Sequence, residues 1–216
     1  MTAHQDRNPV LYWLITGLST YYFSTYHHLR VEGAEHIPER GGALFASNHT
    51  SFFDPPALAS ASPRSLDFLA RKSLFSNRLF GSVIRELNAI PIDQENPDMT
   101  GLKTIIKRLK SGRMVVLFPE GARSWDGALQ PGQPGIGMVI EKAGVPVVPA
   151  RFFGMHEAWP RASSFRCFTP VTLVIAPPIR PFSALTDKRA RFQDLSDQIM
   201  QAIAAIQPPD GITPSS

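Results

Sequence analysis

Short apolar runs alternate along the chain with longer stretches in which apolar residues recur every three or four positions. The runs are typical of buried strands, and the spaced pattern is typical of helices packed on a sheet. The predicted strands are residues 42–47, 66–70, 88–93, 114–118, 145–153 and 171–176. The predicted helices are residues 55–60, part of 71–87, 97–110, 135–143 and 187–206. This alternation predicts a single α/β domain with a mostly parallel central sheet covered by helices.

An aromatic and apolar segment precedes this domain, with residues 10–23 reading VLYWLITGLSTYYF. The run is too short and too often interrupted by polar residues to span a bilayer, and no signal-peptide cleavage site follows it. Aromatic side chains favour a membrane interface, so residues 1–30 are predicted to form a short helical, membrane-associating segment. Packing of this helix on its own domain is the alternative. Residues 31–207 then form the α/β domain, and residues 208–216 are expected to be a flexible tail.

Composition narrows the range of partners. The 216 residues are 43% hydrophobic, which suits one domain, and the formal net charge of +4 favours a polyanionic partner. That partner could be nucleic acid, an anionic membrane or a phosphorylated substrate. Because basic residues do not interleave with aromatic residues in a recognition pattern, nucleic acid is not expected. The only cysteine is Cys167, so no intramolecular disulfide can form.

A histidine and an aspartate lie five positions apart in the segment NHTSFFDPP, directly after the strand 42–47. The neutral imidazole of His49 can take a proton from a hydroxyl group. A carboxylate at Asp54 can fix its tautomer and stabilise the imidazolium as it forms. The alternative is structural, because an aspartate before Pro55 is also a common helix N-cap.

A second polar segment, PEGARS, follows the apolar strand 114–118. Arg123 offers a planar fork that suits phosphate or carboxylate, and Gly121 permits a positive φ or a close backbone approach. Glu120 can bond a substrate hydroxyl or orient Arg123, although a surface Glu–Arg pair would give the same pattern. Functional residues of such folds collect beyond the carboxyl ends of the strands, so this segment and His49 are expected at one edge of the sheet.

Several chemistries lack their motifs. The chain contains no G-x-S-x-G nucleophile elbow, no phosphate-binding P-loop, no G-x-G-x-x-G and no H-E-x-x-H. Cys167 has no neighbours that indicate an activated thiol, and His27 and His28 lack metal-ligand spacing, so no metal site is predicted. A base without its own nucleophile suits direct attack by a substrate hydroxyl on an activated acyl group.

The segment NHTSFFD resembles the N-H-x-x-x-x-D motif of the glycerolipid acyltransferase family, which includes lysophosphatidic acid acyltransferases. FPEGARS resembles the family's F-P-E-G-T-R-S block, with Ala122 in the threonine position. Residues 70–93 resemble the second block and residues 145–154 the fourth. The four blocks occur in the family's order.

The resemblance implies acyl transfer in phospholipid synthesis, from acyl-CoA or acyl carrier protein to the free hydroxyl of lysophosphatidic acid. It implies His49 as general base, Asp54 as its orienting partner and no acyl-enzyme, metal or cofactor. It also implies work at a membrane surface, on the cytoplasmic face. The residues that it implies for substrate binding, with Arg123 on the acceptor phosphate, are Asn48, Lys72, Glu120, Gly121, Arg123, Ser124 and Pro149.

One position departs from the family pattern. Gln94 stands where the second block commonly has an arginine that is associated with the acceptor phosphate. Either Arg123 holds the phosphate with help from Arg71, Lys72 or Arg85, or the acceptor is another lyso-lipid, such as lyso-ornithine lipid. A non-catalytic lipid-binding protein on the same fold is the third alternative, since a fold does not prove an activity.

Overall fold

The computed structural model describes residues 8–92, 99–161 and 164–209. Within these ranges seven strands form one sheet in the order β1-β7-β6-β2-β5-β3-β4. Neighbouring strands are parallel except for β6 and β7, which are antiparallel. The strands are β1 Arg30–Glu32, β2 Ala43–Ser47, β3 Leu66–Arg71, β4 Ala89–Ile92, β5 Met114–Leu117, β6 Val147–Phe153 and β7 Thr172–Ile175. The predicted α/β class and mostly parallel sheet are therefore confirmed.

Helices cover both faces of this sheet, which explains why β2 is buried along its whole length. One face packs against α1, α2 and α6, and the other packs against α4, α5 and α7. Short 3₁₀ helices lie at Ala34–His36 and Lys72–Phe75. The α-helices are α1 Pro9–Tyr26, α2 Asp54–Ala61, α3 Arg78–Glu86, α4 Met99–Lys110, α5 Pro134–Ala143, α6 Met155–Ala158 and α7 Lys188–Ala204.

The apolar pattern located the long elements but not the short ones. β1 is three residues long, with Arg30 exposed and the other two side chains partly buried, so it has no apolar run to mark it. α6 is a single turn. The first residues of the helix predicted over 97–110, the unusual Gln94 and residues 210–216 of the tail lie outside the described residues.

The N-terminal helix α1 packs on the domain with one side only. Tyr12 and Phe23 are buried, and the hydroxyl of Tyr12 accepts a hydrogen bond from the Leu66 N–H at 2.9 Å. The packing alternative therefore holds for this side. The opposite side exposes an apolar row, which we call the outer face of α1, made of Val10, Trp13, Leu14, Leu18 and Tyr21. No helix among the described residues has the length and hydropathy needed to cross a membrane.

Candidate active site

The ends of β2 and β5 bring the two polar segments together, as expected for adjacent parallel strands. His49 follows β2, and the loop after β5 holds its main chain from both sides. The His49 N–H donates to Glu120 Oε1 at 2.8 Å, and the Ser124 N–H donates to the His49 carbonyl at 2.7 Å. The backbone of His49 is thus fixed by the PEGARS segment rather than by its own strand alone.

The His49 and Asp54 side chains form a direct pair. His49 Nδ1 lies 2.7 Å from Asp54 Oδ2, and the Asp54 side chain is fully buried. The same oxygen accepts the N–H groups of Thr50 at 2.7 Å and Ser51 at 2.9 Å. The N-cap position of α2 is Phe53, and Asp54 is its first helical residue. The N-cap alternative for Asp54 is therefore wrong, because its carboxylate turns back towards His49.

Of the two ring nitrogens of His49, only Nδ1 has a hydrogen-bond partner among the described residues. Its ring stacks on Phe118, with 3.9 Å between centroids and 13° between planes, and the side chain keeps 19% of its surface exposed. Because Nδ1 faces a carboxylate, we assign the proton of the neutral ring to Nδ1. Nε2 is then an acceptor that can take a proton from a substrate hydroxyl.

Glu120 braces the loop that carries His49. It is only 5% exposed, and its second oxygen accepts the Gln130 N–H at 3.2 Å. The pKa of Glu120 is raised from 4.5 to about 7, mainly because the carboxyl group is buried. The hydrogen bonds from the His49 and Gln130 N–H groups lower this pKa, and the negative charge of Asp54 raises it. The structure thus places Glu120 under His49 rather than in an ion pair with Arg123. Direct contact with an acceptor hydroxyl stays a prediction.

The raised pKa of Glu120 has a consequence for stability. Between pH 4.5 and about 7 the folded protein holds a proton on Glu120 that the unfolded chain has lost. The free energy of unfolding should therefore fall by about 3 kcal/mol as the pH rises through this window. Urea unfolding at several pH values should show this loss in the wild type and a flatter profile in Glu120→Gln. The matched variant Glu39→Gln, at an exposed position, should keep the wild-type slope; identical profiles for all three proteins would contradict the assignment.

Arg123 lies on this loop, and its guanidinium has no ion-pair partner among the described residues. Its Cζ lies 3.4 Å from the centroid of the Phe52 ring, and Nη1 is buried with no hydrogen-bond partner among the described residues. Burial lowers the pKa of Arg123, and the positive charges of Arg161 and Arg71 lower it further, while the negative charge of Asp54 raises it. A cation in such surroundings gains strongly from an anionic ligand, because it is partly desolvated and close to like charges.

Three of the residues implied for substrate binding have structural partners instead. The side-chain amide of Asn48 donates to the Phe152 carbonyl at 3.2 Å and accepts the Phe152 N–H at 2.8 Å. Ser124 is buried and its hydroxyl donates to Asp126 at 2.8 Å. Pro149 is buried inside β6. These contacts tie β2 to β6 and shape the loop, and a direct contact of these three residues with substrate stays a prediction.

Two other implied residues are accessible. Gly121 is exposed with φ of +75°, and its N–H closes a turn by donating to the Phe118 carbonyl at 3.0 Å. A side chain at this φ would be strained, which accounts for glycine here. Lys72 is exposed at the start of the 3₁₀ helix after β3. Its binding role stays a prediction.

Sequence reasoning missed an aromatic rim around the site. Trp159 lies 5.2 Å from Phe52, 4.7 Å from Phe53 and 6.0 Å from Phe165, measured between ring centroids. Phe52 and Phe165 are about half exposed. Phe52 and Phe53 lie between His49 and Asp54 in the chain, so their apolar character was visible, but their partners are about 110 residues away.

Comparison with known proteins agrees with this geometry. A sequence model of the family described as "Acyltransferase" matches residues 28–152, which include His49, Asp54 and Arg123. A crystal structure of the 1-acyl-sn-glycerophosphate (LPA) acyltransferase PlsC from Thermotoga maritima superposes with a TM-score of 0.68 and 27% identity, over 92% of this chain and 80% of that one.

Sequence relatives carry a consistent name. The 1-acyl-sn-glycerol-3-phosphate acyltransferase of Bacillus subtilis (strain 168) is 32% identical over 127 residues, 58% of this chain and 63% of that protein. The protein of the same name from Streptococcus pneumoniae is 31% identical over 148 residues, 67% of this chain and 51% of that protein. The match thus spans less than two thirds of the length of these relatives.

Proposed function

The chain belongs to the acyltransferase family, and on that premise we propose that it transfers a fatty acyl group to the free hydroxyl of 1-acylglycerol 3-phosphate (lysophosphatidic acid). The proposed donor is acyl-CoA or acyl carrier protein. The observation that carries the proposal is the 2.7 Å contact between His49 Nδ1 and the buried Asp54, which leaves Nε2 open. The names of the relatives support the acceptor.

The His49–Asp54 pair suits general-base catalysis without an acyl-enzyme. The acceptor hydroxyl gives its proton to His49 Nε2 while its oxygen attacks the carbonyl carbon of the thioester. Asp54 accepts the Nδ1–H and stabilises the imidazolium, as a carboxylate does in a catalytic triad. When the tetrahedral intermediate collapses, the C–S bond breaks and the departing thiolate takes the proton from Nε2. The imidazole is then neutral again.

Arg123 is the residue that favours a phosphate-bearing acceptor. Its guanidinium lies over the Phe52 ring, and its Nη1 is buried with no hydrogen-bond partner among the described residues. The loop that carries Arg123 also holds the main chain of His49. A phosphate bound by Arg123 would therefore place the attached glycerol near the base. Gln94 favours a second candidate, acyl transfer to an uncharged or differently charged lyso-lipid such as lyso-ornithine lipid, because the usual arginine is missing.

An acyl-transfer assay separates these functions. Purified protein in detergent receives labelled acyl-CoA or acyl carrier protein, with lysophosphatidic acid or lyso-ornithine lipid as acceptor, and His49→Asn is run alongside. We expect phosphatidic acid from the wild type and none from the variant. Product from lyso-ornithine lipid alone would favour the second candidate. Folded protein that acylates neither acceptor would favour a non-catalytic lipid-binding protein.

The outer face of α1 supports attachment to a membrane surface, which we place on the cytoplasmic side. A helix of a water-soluble domain normally directs polar residues to solvent. Here Leu18 and Tyr21 are both more than 60% exposed, and Trp13 and Leu14 lie beside them. Burial of these side chains in the interfacial region of a bilayer would remove apolar surface from water.

Polar substitutions on this face should release the protein from membranes. The variant Leu14→Gln, Leu18→Gln and Tyr21→Gln should lower the liposome-bound fraction about tenfold, because three apolar anchors are lost while glutamine keeps the helix. Activity in detergent should stay within about twofold of the wild type. The control replaces exposed apolar residues on the other side of the sheet, Phe182→Gln and Leu185→Gln, and should bind liposomes normally. Equal liposome binding by both variants would contradict the proposed face.

A further inference from the structure

A second arginine is joined to the main chain of Arg123. Arg161 Nη1 donates to the Arg123 carbonyl at 2.8 Å. The Arg161 guanidinium also lies over the Trp125 ring, with 3.9 Å between Cζ and the ring centroid. Two guanidinium groups are thus each supported by an aromatic ring, Arg123 by Phe52 and Arg161 by Trp125. Such stacking fixes a guanidinium in place while leaving its edge free for hydrogen bonds.

The positive charge of this pair is only partly offset: the charge of Asp54 raises the pKa of Arg123 without forming an ion pair with it. Neither arginine has an ion-pair partner within the ranges 8–92, 99–161 and 164–209. Arg161 and Arg71 both act on Arg123 as like charges. Keeping cations together without a counter-ion costs free energy, and a bound anion recovers it. The ligand that this arrangement fits is a phosphate monoester, which can accept hydrogen bonds from two planar forks.

We propose that Arg161 is a second phosphate-binding residue, which together with Arg123 holds the phosphate of the acyl acceptor. This inference rests on the proposed function. Arg161 lies outside the four sequence blocks, and Gln94 in the second block brings no charge. Arg161 thus provides a second cation at the site, and it comes from the loop after α6 rather than from the second block.

A phosphate monoester could belong to either substrate, because CoA also carries phosphates. The acceptor is favoured by the main-chain connection to the base. Ser124, the residue after Arg123, donates its N–H to the His49 carbonyl. A phosphate on Arg123 and Arg161 is therefore tied to the segment that sets the position of His49. The donor phosphates remain the competing source, and the kinetic experiment separates the two.

Steady-state kinetics of Arg161→Gln test the proposal. We expect KM for lysophosphatidic acid to rise about tenfold, since a charge-assisted bond to phosphate is lost, while kcat changes less than about threefold. KM for the acyl donor should not change. The matched control Arg166→Gln removes one charge from an exposed position of the same loop and should behave as wild type. A rise in KM for acyl-CoA instead would overturn the assignment to the acceptor.

A phosphate-free acceptor distinguishes binding from loop support. If Arg161 contacts the phosphate, Arg161→Gln should acylate 1-acylglycerol at the wild-type rate, however slow that is. If Arg161 only supports the loop that positions His49, the variant should lose activity with both acceptors to the same degree. That result would overturn the proposal, as would an unchanged KM for lysophosphatidic acid.

A binding measurement keeps the inference testable apart from activity. Titration calorimetry with glycerol 3-phosphate, and with glycerol as the reference, reports on the phosphate site directly. The wild type should bind glycerol 3-phosphate, and Arg161→Gln should bind it about tenfold more weakly. Equal affinity in the two proteins, or no binding by the wild type, would overturn the inference. If the wild type is inactive but binds glycerol 3-phosphate, and Arg161→Gln binds it more weakly, the proposed reaction is refuted while the phosphate site is supported.

Discussion

Replacing His49 by asparagine is expected to lower kcat about 10³-fold, because it removes Nε2, the nitrogen proposed to take the acceptor proton. The asparagine amide can still donate to Asp54 in place of Nδ1, which lies 2.7 Å from Oδ2. The main-chain bonds of position 49 to Glu120 and Ser124 are unaffected by the side chain. The substitution therefore removes Nε2 while the surrounding loop stays in place. Initial rates at saturating acceptor and donor measure the effect.

The matched control for this experiment is His28→Asn. His28 is exposed and has φ of +45°, a conformation that asparagine adopts readily. This variant should keep wild-type activity. If His49→Asn folds like the wild type and retains more than about a tenth of its kcat, His49 is not the general base.

Replacing Asp54 by asparagine is expected to lower kcat about 10²-fold to 10³-fold with little change in KM. A single oxygen, Oδ2, accepts from His49, Thr50 and Ser51, and Oδ1 is buried without a hydrogen-bond partner in the part of the chain that the structure describes. An amide oxygen in the Oδ2 position can accept the same three bonds. The tautomer of His49 is then preserved, and the charge that stabilises the imidazolium is what is lost.

Rates, thermal unfolding and a control complete the Asp54 experiment. The control is Asp187→Asn at the N-cap of α7, where asparagine caps as well as aspartate, so activity and stability should stay unchanged. Asp54→Ala should both unfold more easily and lose activity, since it leaves the N–H groups of Thr50 and Ser51 without their acceptor. Asp54→Asn with wild-type kcat would show that the carboxylate charge has no part in the reaction.

The contact between His49 and Asp54 could be predicted from the sequence because the two residues are close in the chain. His49 and Asp54 lie five positions apart across one strand-to-helix turn, and the turn itself brings the side chains together. The position of Arg123 near them could also be predicted, since parallel neighbouring strands end at the same edge of a sheet. The roles of Asn48 and Glu120 could not. Their residue types fit a substrate contact, and only the surrounding main chain showed that their polar atoms already have partners.

For the N-terminal helix, too, the sequence alone did not decide which contacts its residues make. The composition of residues 10–23 indicated an apolar helix, but two opposite interpretations, core packing and a membrane interface, used the same residues. Packing against α2 and β3 divided the helix, with Tyr12 and Phe23 buried and Leu18 and Tyr21 exposed. Which side a helix buries depends on the surface that its neighbours present, and a single sequence does not contain that surface explicitly.

The sequence by itself determined the α/β class, the long elements, the His49–Asp54 pair and the position of Arg123 at the same edge of the sheet. These features follow from the spacing of apolar residues, the residues at turns and the residue types, all of which can be read from short stretches of sequence. The tertiary structure alone decided that Glu120 is buried under His49 and that Arg161 reaches the Arg123 carbonyl from 38 residues away. Burial and long-range contact depend on how distant segments pack. For that reason the electrostatics of this site, including the raised pKa of Glu120, arise only in the folded chain.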